Sequence, residues 1–191
     1  MTHKLYLDPQ TLLEDSFRLG AAILNDGFYP DYIIAIWRGG TPIGVAVQEF
    51  LAYHQVKGDH IAIRTSSYSG IDGRSKQVRV HGLSYLVKNI RHTDRLLIVD
   101  DVYDTGLTIQ AVIAELRQRT RLNQPQDIRI AVPYYKPTRN QTGVAPDYYI
   151  HETDAWLKYP HSLEGLTHDE VARHRPELYR IIQPCLPNTP K

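Results

Sequence analysis

The stretch "LLIVDDVYDTGLTI" (Leu96 to Ile109) places three carboxylates, Asp100, Asp101 and Asp104, at the end of an apolar run, followed at once by Thr105-Gly106-Leu107-Thr108 and a helical pattern. A helix that starts over Asp104 to Thr108 leaves its first backbone N–H groups without intrahelical partners. Thr105 and Thr108 add hydroxyls, so the segment forms a cradle for a phosphate. Gly106 permits a tight turn and a close approach of backbone to an anion. Asp100 and Asp101 suit ribose hydroxyls, which offer O–H donors, or a hydrated Mg²⁺, which prefers carboxylate and phosphate oxygens. A sugar phosphate fits both halves. Taken without context, Asp104 also reads as a plain helix N-cap and the acid pair as a solvated strand end. The chain has neither the glycine-lysine pattern of a P-loop nor the Gly-x-Gly-x-x-Gly of a dinucleotide fold.

Three further groups are hard to explain by packing: Arg38-Gly39-Gly40 after "DYIIAIW", Ser66-Ser67-Tyr68 after "HIAIRT", and Lys136 after "DIRIAVPYY". Each falls at a predicted strand end. The elements that position them can be read from periodicity. Leu12, Leu13, Phe17, Leu19, Ala22 and Ile23 recur at helical spacing from Asp8-Pro9 to about Asn25, and Asn25-Asp26-Gly27 stops that helix. Continuous apolar runs such as "DYIIAIW" and "RLLIVD" are typical of strands covered on both faces. Helices are expected from about Pro42 to His54 and over "LTIQAVIAELRQR", and further strands over "HIAIRT", "DIRIAVPYY" and "PDYYIHE". "SSYSGIDGRSKQ" is polar and glycine-containing, which reads as a long mobile loop. "LTHDEVARH" and "PELYRII" read as short helices outside the sheet.

This alternation predicts an α/β fold with a mainly parallel, twisted sheet flanked by helices, with ligands at the carboxyl ends of the strands. One domain over 1–191 is expected, with a core of about 28–152 and a C-terminal extension over about 153–191. Lys and Arg number 22 against 21 Asp and Glu, a net charge of +1, which argues against nucleic acid or a membrane as the main partner. The single cysteine, Cys185, cannot pair within the chain, and "MTHKLYLDPQ" has no apolar signal core, so a cytoplasmic location is expected. The nine histidines form no metal-ligand pattern.

"LLIVDDVYDTGLT" resembles, over its whole length, the signature of the type I phosphoribosyltransferases: an apolar strand ending in two acids and a threonine-glycine phosphate loop. The resemblance spans about residues 28 to 165. It implies 5-phosphoribosyl-1-pyrophosphate as ligand, with Mg²⁺ as cofactor, Asp100 and Asp101 on the ribose hydroxyls, and Asp104, Thr105, Gly106, Leu107 and Thr108 around the 5-phosphate. An aspartate at the place of Asp104 is similar to family members that act on 6-oxopurines, and it would handle the N7 proton. "IWRGG" resembles the pyrophosphate loop, with Arg38, Gly39 and Gly40 as contacts and a non-proline cis peptide expected at Arg38-Gly39. "SSYSG" resembles the flexible hood, with Ser67 and Tyr68 closing over the reaction centre. Lys136 falls where the family places a donor to the purine O6; an ammonium cannot accept a hydrogen bond, so it disfavours a 6-amino group.

"PDYYIHETDAWLKYPH" is similar to the base-binding segment, with Trp156 stacked on the purine and the backbone of Leu157 at its N1–C2 edge. Glu164 is the candidate for a second metal contact beside Asp100 and Asp101. The implied activity is purine salvage on hypoxanthine, guanine or xanthine, giving a nucleoside monophosphate and pyrophosphate, in a homodimer or homotetramer. Two other readings stand beside it. One is a transferase for a non-purine base, which Lys136 and Trp156 oppose. The other is a regulator of the same fold that senses the sugar pyrophosphate or a nucleotide without turnover, and the near-neutral charge and the intact Asp104 and Lys136 oppose that.

Overall fold

The computed structural model describes residues 4–69 and 76–185. Its elements are β1 (Lys4–Tyr6), α1 (Pro9–Asn25), β2 (Tyr32–Trp37), α2 (Gly40–Tyr53), β3 (Asp59–Ser69), β4 (Lys76–His81), α3 (Ser84–Asn89), β5 (Arg95–Val99), β6 (Val102–Tyr103), α4 (Leu107–Thr120), β7 (Asp127–Tyr135), β8 (Tyr148–Glu152), β9 (Trp156–Lys158), α5 (His168–His174) and α6 (Pro176–Ile182). Contacts divide the chain into two compact units, Gln10–Asp154 and Met1–Pro9 with Ala155–Lys191.

In the larger unit the sheet runs β4-β3-β2-β5-β7, with β8 on the far side of β7 and β6 continuing β5 along its near side. All pairs are parallel except β3 with β4. The apolar runs explain this. β2, β5 and β7 alternate their side chains between faces, and both faces are covered. Ile34, Ile36, Leu96, Ile98, Ile130 and Val132 share one core with Leu86 of α3 and Ile109, Val112 and Leu116 of α4. Ile33, Ala35, Leu97, Val99 and Ala131, at the alternate positions, are also buried. There α2 packs so closely that a Cβ on Gly44 would stand 2.6 Å from that of Ala35.

Two expectations need correction. Ser66-Ser67-Tyr68 does not come after a strand end: β3 continues to Ser69, and Ser67 and Tyr68 pair with Val78 and Gln77 of β4. The antiparallel partner satisfies the backbone of a segment whose polar side chains give no core pattern, which is why periodicity missed it. The tip of the predicted loop, residues 70–75, lies outside the described residues. The non-proline cis peptide lies between Trp37 and Arg38, not Arg38 and Gly39. It falls where β2 ends.

The smaller unit pairs β1 with β9 in parallel, Lys4 opposite Trp156 and Tyr6 opposite Lys158. Thr167 and Glu170 form a reciprocal capping box at the start of α5. Arg175 organises the segment after β9, its guanidinium donating to the carbonyls of Lys158 (3.1 Å), Tyr159 (2.6 Å), Pro160 (3.3 Å) and Ser162 (2.6 Å). As expected, "LTHDEVARH" and "PELYRII" form short helices outside the large sheet, α5 and α6.

Candidate active site

β2, β5 and β7 end on one edge of the sheet, and the loops after β2 and β5 meet there in a cleft of about 260 Å³. Arg38 and Gly39 line it from the loop after β2; Asp100, Asp101, Asp104, Thr105, Gly106 and Thr108 line it from the loop between β5 and α4. Gly40 lies buried beneath. The two loops are in direct contact. A Cβ on Gly39 would stand 1.9 Å from Asp101 Oδ2, and one on Gly40 would stand 2.7 Å from the Val99 carbonyl oxygen and the Asp100 Cα. Only glycine allows the loop after β2 to approach the acid pair this closely.

The acid pair is held by its own backbone. The Asp100 N–H donates to the Ala131 carbonyl at 3.2 Å, and the Asp101 N–H donates to Asp100 Oδ1 at 2.9 Å. Burial pushes the Asp100 carboxyl well above the usual carboxylate range, and the neighbouring Asp101 charge adds to this. Burial also pushes Asp101 up, opposed by its hydrogen bond with Asp100 and by the charge of Arg38. Two crowded carboxyls at a cleft wall have an oxygen-only donor set that suits a hard divalent cation. Among the described residues no three His, Cys, Asp or Glu side chains gather into a metal site. Mg²⁺ commonly binds through one or two carboxylates together with ligand phosphates, so two acids are sufficient protein ligands.

Asp104 does not cap a helix. α4 begins at Leu107, its N-cap is Gly106 in the left-handed region at φ 79°, and no side chain caps it. The expected start of the helix over Asp104 to Thr108 therefore moves on by three residues, and Asp104 and Thr105 stand in the loop. The Leu107 N–H donates to Thr105 Oγ1 at 3.4 Å. Leu107 itself begins α4 with its side chain 40% exposed. Gly106 is locked: a Cβ there would meet Thr142 Cγ2 at 2.5 Å and the Tyr103 hydroxyl at 2.6 Å.

Asp104 instead faces a cation that the sequence did not single out. Arg139 Nε stands 2.8 Å from Asp104 Oδ1. The N–H is not aimed along that contact, so this enclosed oxygen accepts no hydrogen bond. The interaction is an ion pair and not a hydrogen bond. Thr41 Oγ1, in the first turn of α2, is a second enclosed polar atom without a partner. The signal for Arg139 is its place three residues after Lys136, on a 3₁₀ turn over Pro137–Arg139. Lys136 is buried, and its N–H donates to the Tyr103 carbonyl at 2.9 Å, which ties the end of β7 to the residue before Asp104. Two more contacts brace the same loops: the Gln141 N–H donates to the Thr105 carbonyl at 3.0 Å, and the hydroxyls of Tyr103 and Thr142 are 2.9 Å apart.

Of the other residues expected at the site, Ser67 and Tyr68 have side chains that lie outside the described residues. In the smaller unit, Trp156 is half exposed on β9, with Lys158 Nζ 5.7 Å from its ring centroid. Leu157 pairs with Leu5, and the Glu164 carbonyl accepts from Lys158 Nζ at 2.9 Å. Burial pushes the Lys158 ammonium down.

Residues 6–170 match the family model described as phosphoribosyl transferase domain. The chain belongs to the phosphoribosyltransferase family. Among solved structures it is similar to a purine phosphoribosyltransferase from Pyrococcus horikoshii at 29% identity and a TM-score of 0.69, covering 86% of this chain and 97% of that one. Two more distant structures share the fold of this phosphoribosyltransferase. A hypothetical protein from Neisseria gonorrhoeae with bound ppGpp has 22% identity and a TM-score of 0.72, with 92% and 96% covered. The xanthine-guanine-hypoxanthine phosphoribosyltransferase of Helicobacter pylori has 19% identity and a TM-score of 0.62, with 82% and 92% covered. No curated protein matches the chain. Among the described residues of this family member, no helix is long and apolar enough to cross a membrane.

Proposed function

We propose that the protein transfers the 5-phosphoribosyl group of 5-phosphoribosyl-1-pyrophosphate to N9 of a 6-oxopurine, releasing pyrophosphate and a nucleoside 5′-monophosphate. The observation that carries this reading is the backbone tie between Lys136 and Tyr103, which brings a buried lysine and the acid Asp104 to adjacent positions at one strand end. A cation that only donates and an anion that only accepts make complementary demands on a base. The lysine suits a 6-oxo oxygen, and the carboxylate suits an N7–H.

The glycosidic bond forms as the N9 lone pair attacks ribose C1 and the C1–O bond breaks, pyrophosphate keeping that electron pair. Asp104 accepts the N7 proton of the incoming base. The α4 N-terminus, with Thr105, Gly106 and Thr108, holds the 5-phosphate, Leu107 contributing its backbone. Arg38 with the N–H groups of Gly39 and Gly40 holds the pyrophosphate, and the hood residues Ser67 and Tyr68 exclude water from the activated sugar. Trp156 stacks on the base and Leu157 meets its N1–C2 edge. Asp100 and Asp101 would hold Mg²⁺, with Glu164 toward a second ion, and the bound ion would supply charge neutralisation for the pyrophosphate.

The test is nucleotide formation with 5-phosphoribosyl-1-pyrophosphate, Mg²⁺ and each of hypoxanthine, guanine, xanthine and adenine in turn. Turnover is expected with at least one 6-oxopurine and not with adenine. Turnover with adenine would overturn the roles of Lys136 and Asp104. Sugar-pyrophosphate binding with no turnover of any base would instead favour a sensor of the same fold.

A further inference from the structure

We propose that Arg139 is the positioning residue for Asp104, fixing which carboxylate oxygen meets the base; this rests on the transferase reading above. Arg139 and Asp104 lie on different loops, and the 2.8 Å contact between them joins those loops across the cleft edge. Their side chains are 47% and 33% exposed, a setting in which an ion pair adds little to stability. Stability alone is a weak reason for the pair. Its geometric effect is specific. Oδ1 is enclosed and accepts no hydrogen bond, which leaves Oδ2 as the oxygen a ligand can reach.

The arginine is delivered by a turn pinned at both ends. The Lys136 N–H reaches the Tyr103 carbonyl, the Arg139 N–H donates to the Lys136 carbonyl at 3.1 Å, and the Gln141 N–H reaches the Thr105 carbonyl at 3.0 Å. The Thr138 hydroxyl is also bonded to Asp154. The segment "KPTR" therefore carries both the proposed reader of the base oxygen, Lys136, and the cation that orients the proton acceptor. Asp100 and Asp101 provide the contrast. They crowd one another, with the charge of Arg38 only opposing the shift of Asp101, whereas Asp104 has the Arg139 guanidinium at 2.8 Å. A cation held off the hydrogen-bonding direction restrains the carboxylate without consuming an acceptor position that the N7 proton needs.

A double-mutant cycle tests this on the full chain with Mg²⁺ and the best 6-oxopurine. Arg139→Gln is expected to lower kcat by about 10- to 100-fold, the scale of a misplaced reacting group. The KM for 5-phosphoribosyl-1-pyrophosphate and the thermal midpoint should stay near wild type, and Arg139→Lys should recover part of kcat. In an Asp104→Asn background, Arg139→Gln should cost nothing further, because it acts only through the carboxylate. Wild-type kcat in Arg139→Gln, or losses that multiply in the double variant, would overturn the inference while leaving the transferase intact. A wild type that turns over none of the four bases would overturn the transferase reading and this inference with it.

Discussion

A carboxylate that takes up a proton and one that holds a cation need different surroundings, and on the proposed reading the surroundings of Asp104 and of the Asp100–Asp101 pair differ in that way. Asp100 and Asp101 are crowded by burial and by each other, so an added positive charge relieves them. Asp104 already faces Arg139. Asp104→Asn keeps the shape of the cleft and removes the basic carboxylate, so kcat should fall by about 10²–10⁴-fold, the range of general acid–base catalysis. Sugar-pyrophosphate binding measured by calorimetry should be unchanged. Unchanged turnover would remove Asp104 from the proton path. The three acids were legible in the sequence because an apolar strand has no reason to end in them. Arg139 was not, because its partner is set by a turn and a backbone hydrogen bond between distant segments, and neither leaves a local pattern.

At the scale of elements, the segment from β5 to α4 could be read directly: an apolar run of strand length, a glycine, then a helical period. The helix start was misplaced by three residues because Gly106, and not Asp104, occupies the N-cap. That glycine carries a direct prediction. Gly106→Ala puts a Cβ into a left-handed residue, at a cost of about 1–2 kcal/mol from the backbone alone, and against the Tyr103 hydroxyl and Thr142. The thermal midpoint should drop and 5-phosphate affinity should be lost with it. A variant that binds ligand normally would show that the brace yields easily.

The β3–β4 arm was illegible for the opposite reason, since its polar side chains carry no period that marks a buried face. β1 and β9, three residues each, were also missed because they are defined by a pairing between chain ends. There, Lys4 and Tyr6 bond Glu170, and these contacts hold the Glu170 carboxyl down at about 2. A lowered carboxyl stabilises above its unfolded value of about 4.3. That contribution is lost as pH falls from there toward about 2. Trp156 sits opposite Lys4 and is one of two tryptophans. In a Trp37→Phe background its fluorescence should report the loss over this window, and Lys4→Met should flatten the response.

For the whole molecule, the parallel sheet could be derived from the order of its elements, whereas the division into two units could not, because the smaller one joins the first nine residues to the last thirty-seven, which the whole larger unit separates in sequence. The larger unit carries a stability cost at its cleft. A carboxyl raised by folding contributes stability below its unfolded value of about 3.9 and loses it as pH rises through the folded value, so at neutral pH the raised Asp100 and Asp101 carboxyls oppose folding. On the function proposed above, Mg²⁺ with 5-phosphoribosyl-1-pyrophosphate would bind only the folded chain and neutralise that pair. At a ligand concentration of about 100 times Kd the gain is about 2.7 kcal/mol. At about 2–4 °C per kcal/mol for a chain of this size, that predicts a rise of about 5–11 °C in thermal midpoint. Asp100→Asn should behave inversely: a higher midpoint than wild type in chelator at pH 7.5, and little or none of the rise when ligand and Mg²⁺ are added. A lower midpoint in chelator would mean that the acid pair stabilises the cleft, and a full rise on adding ligand would mean that Asp100 does not take part in holding it.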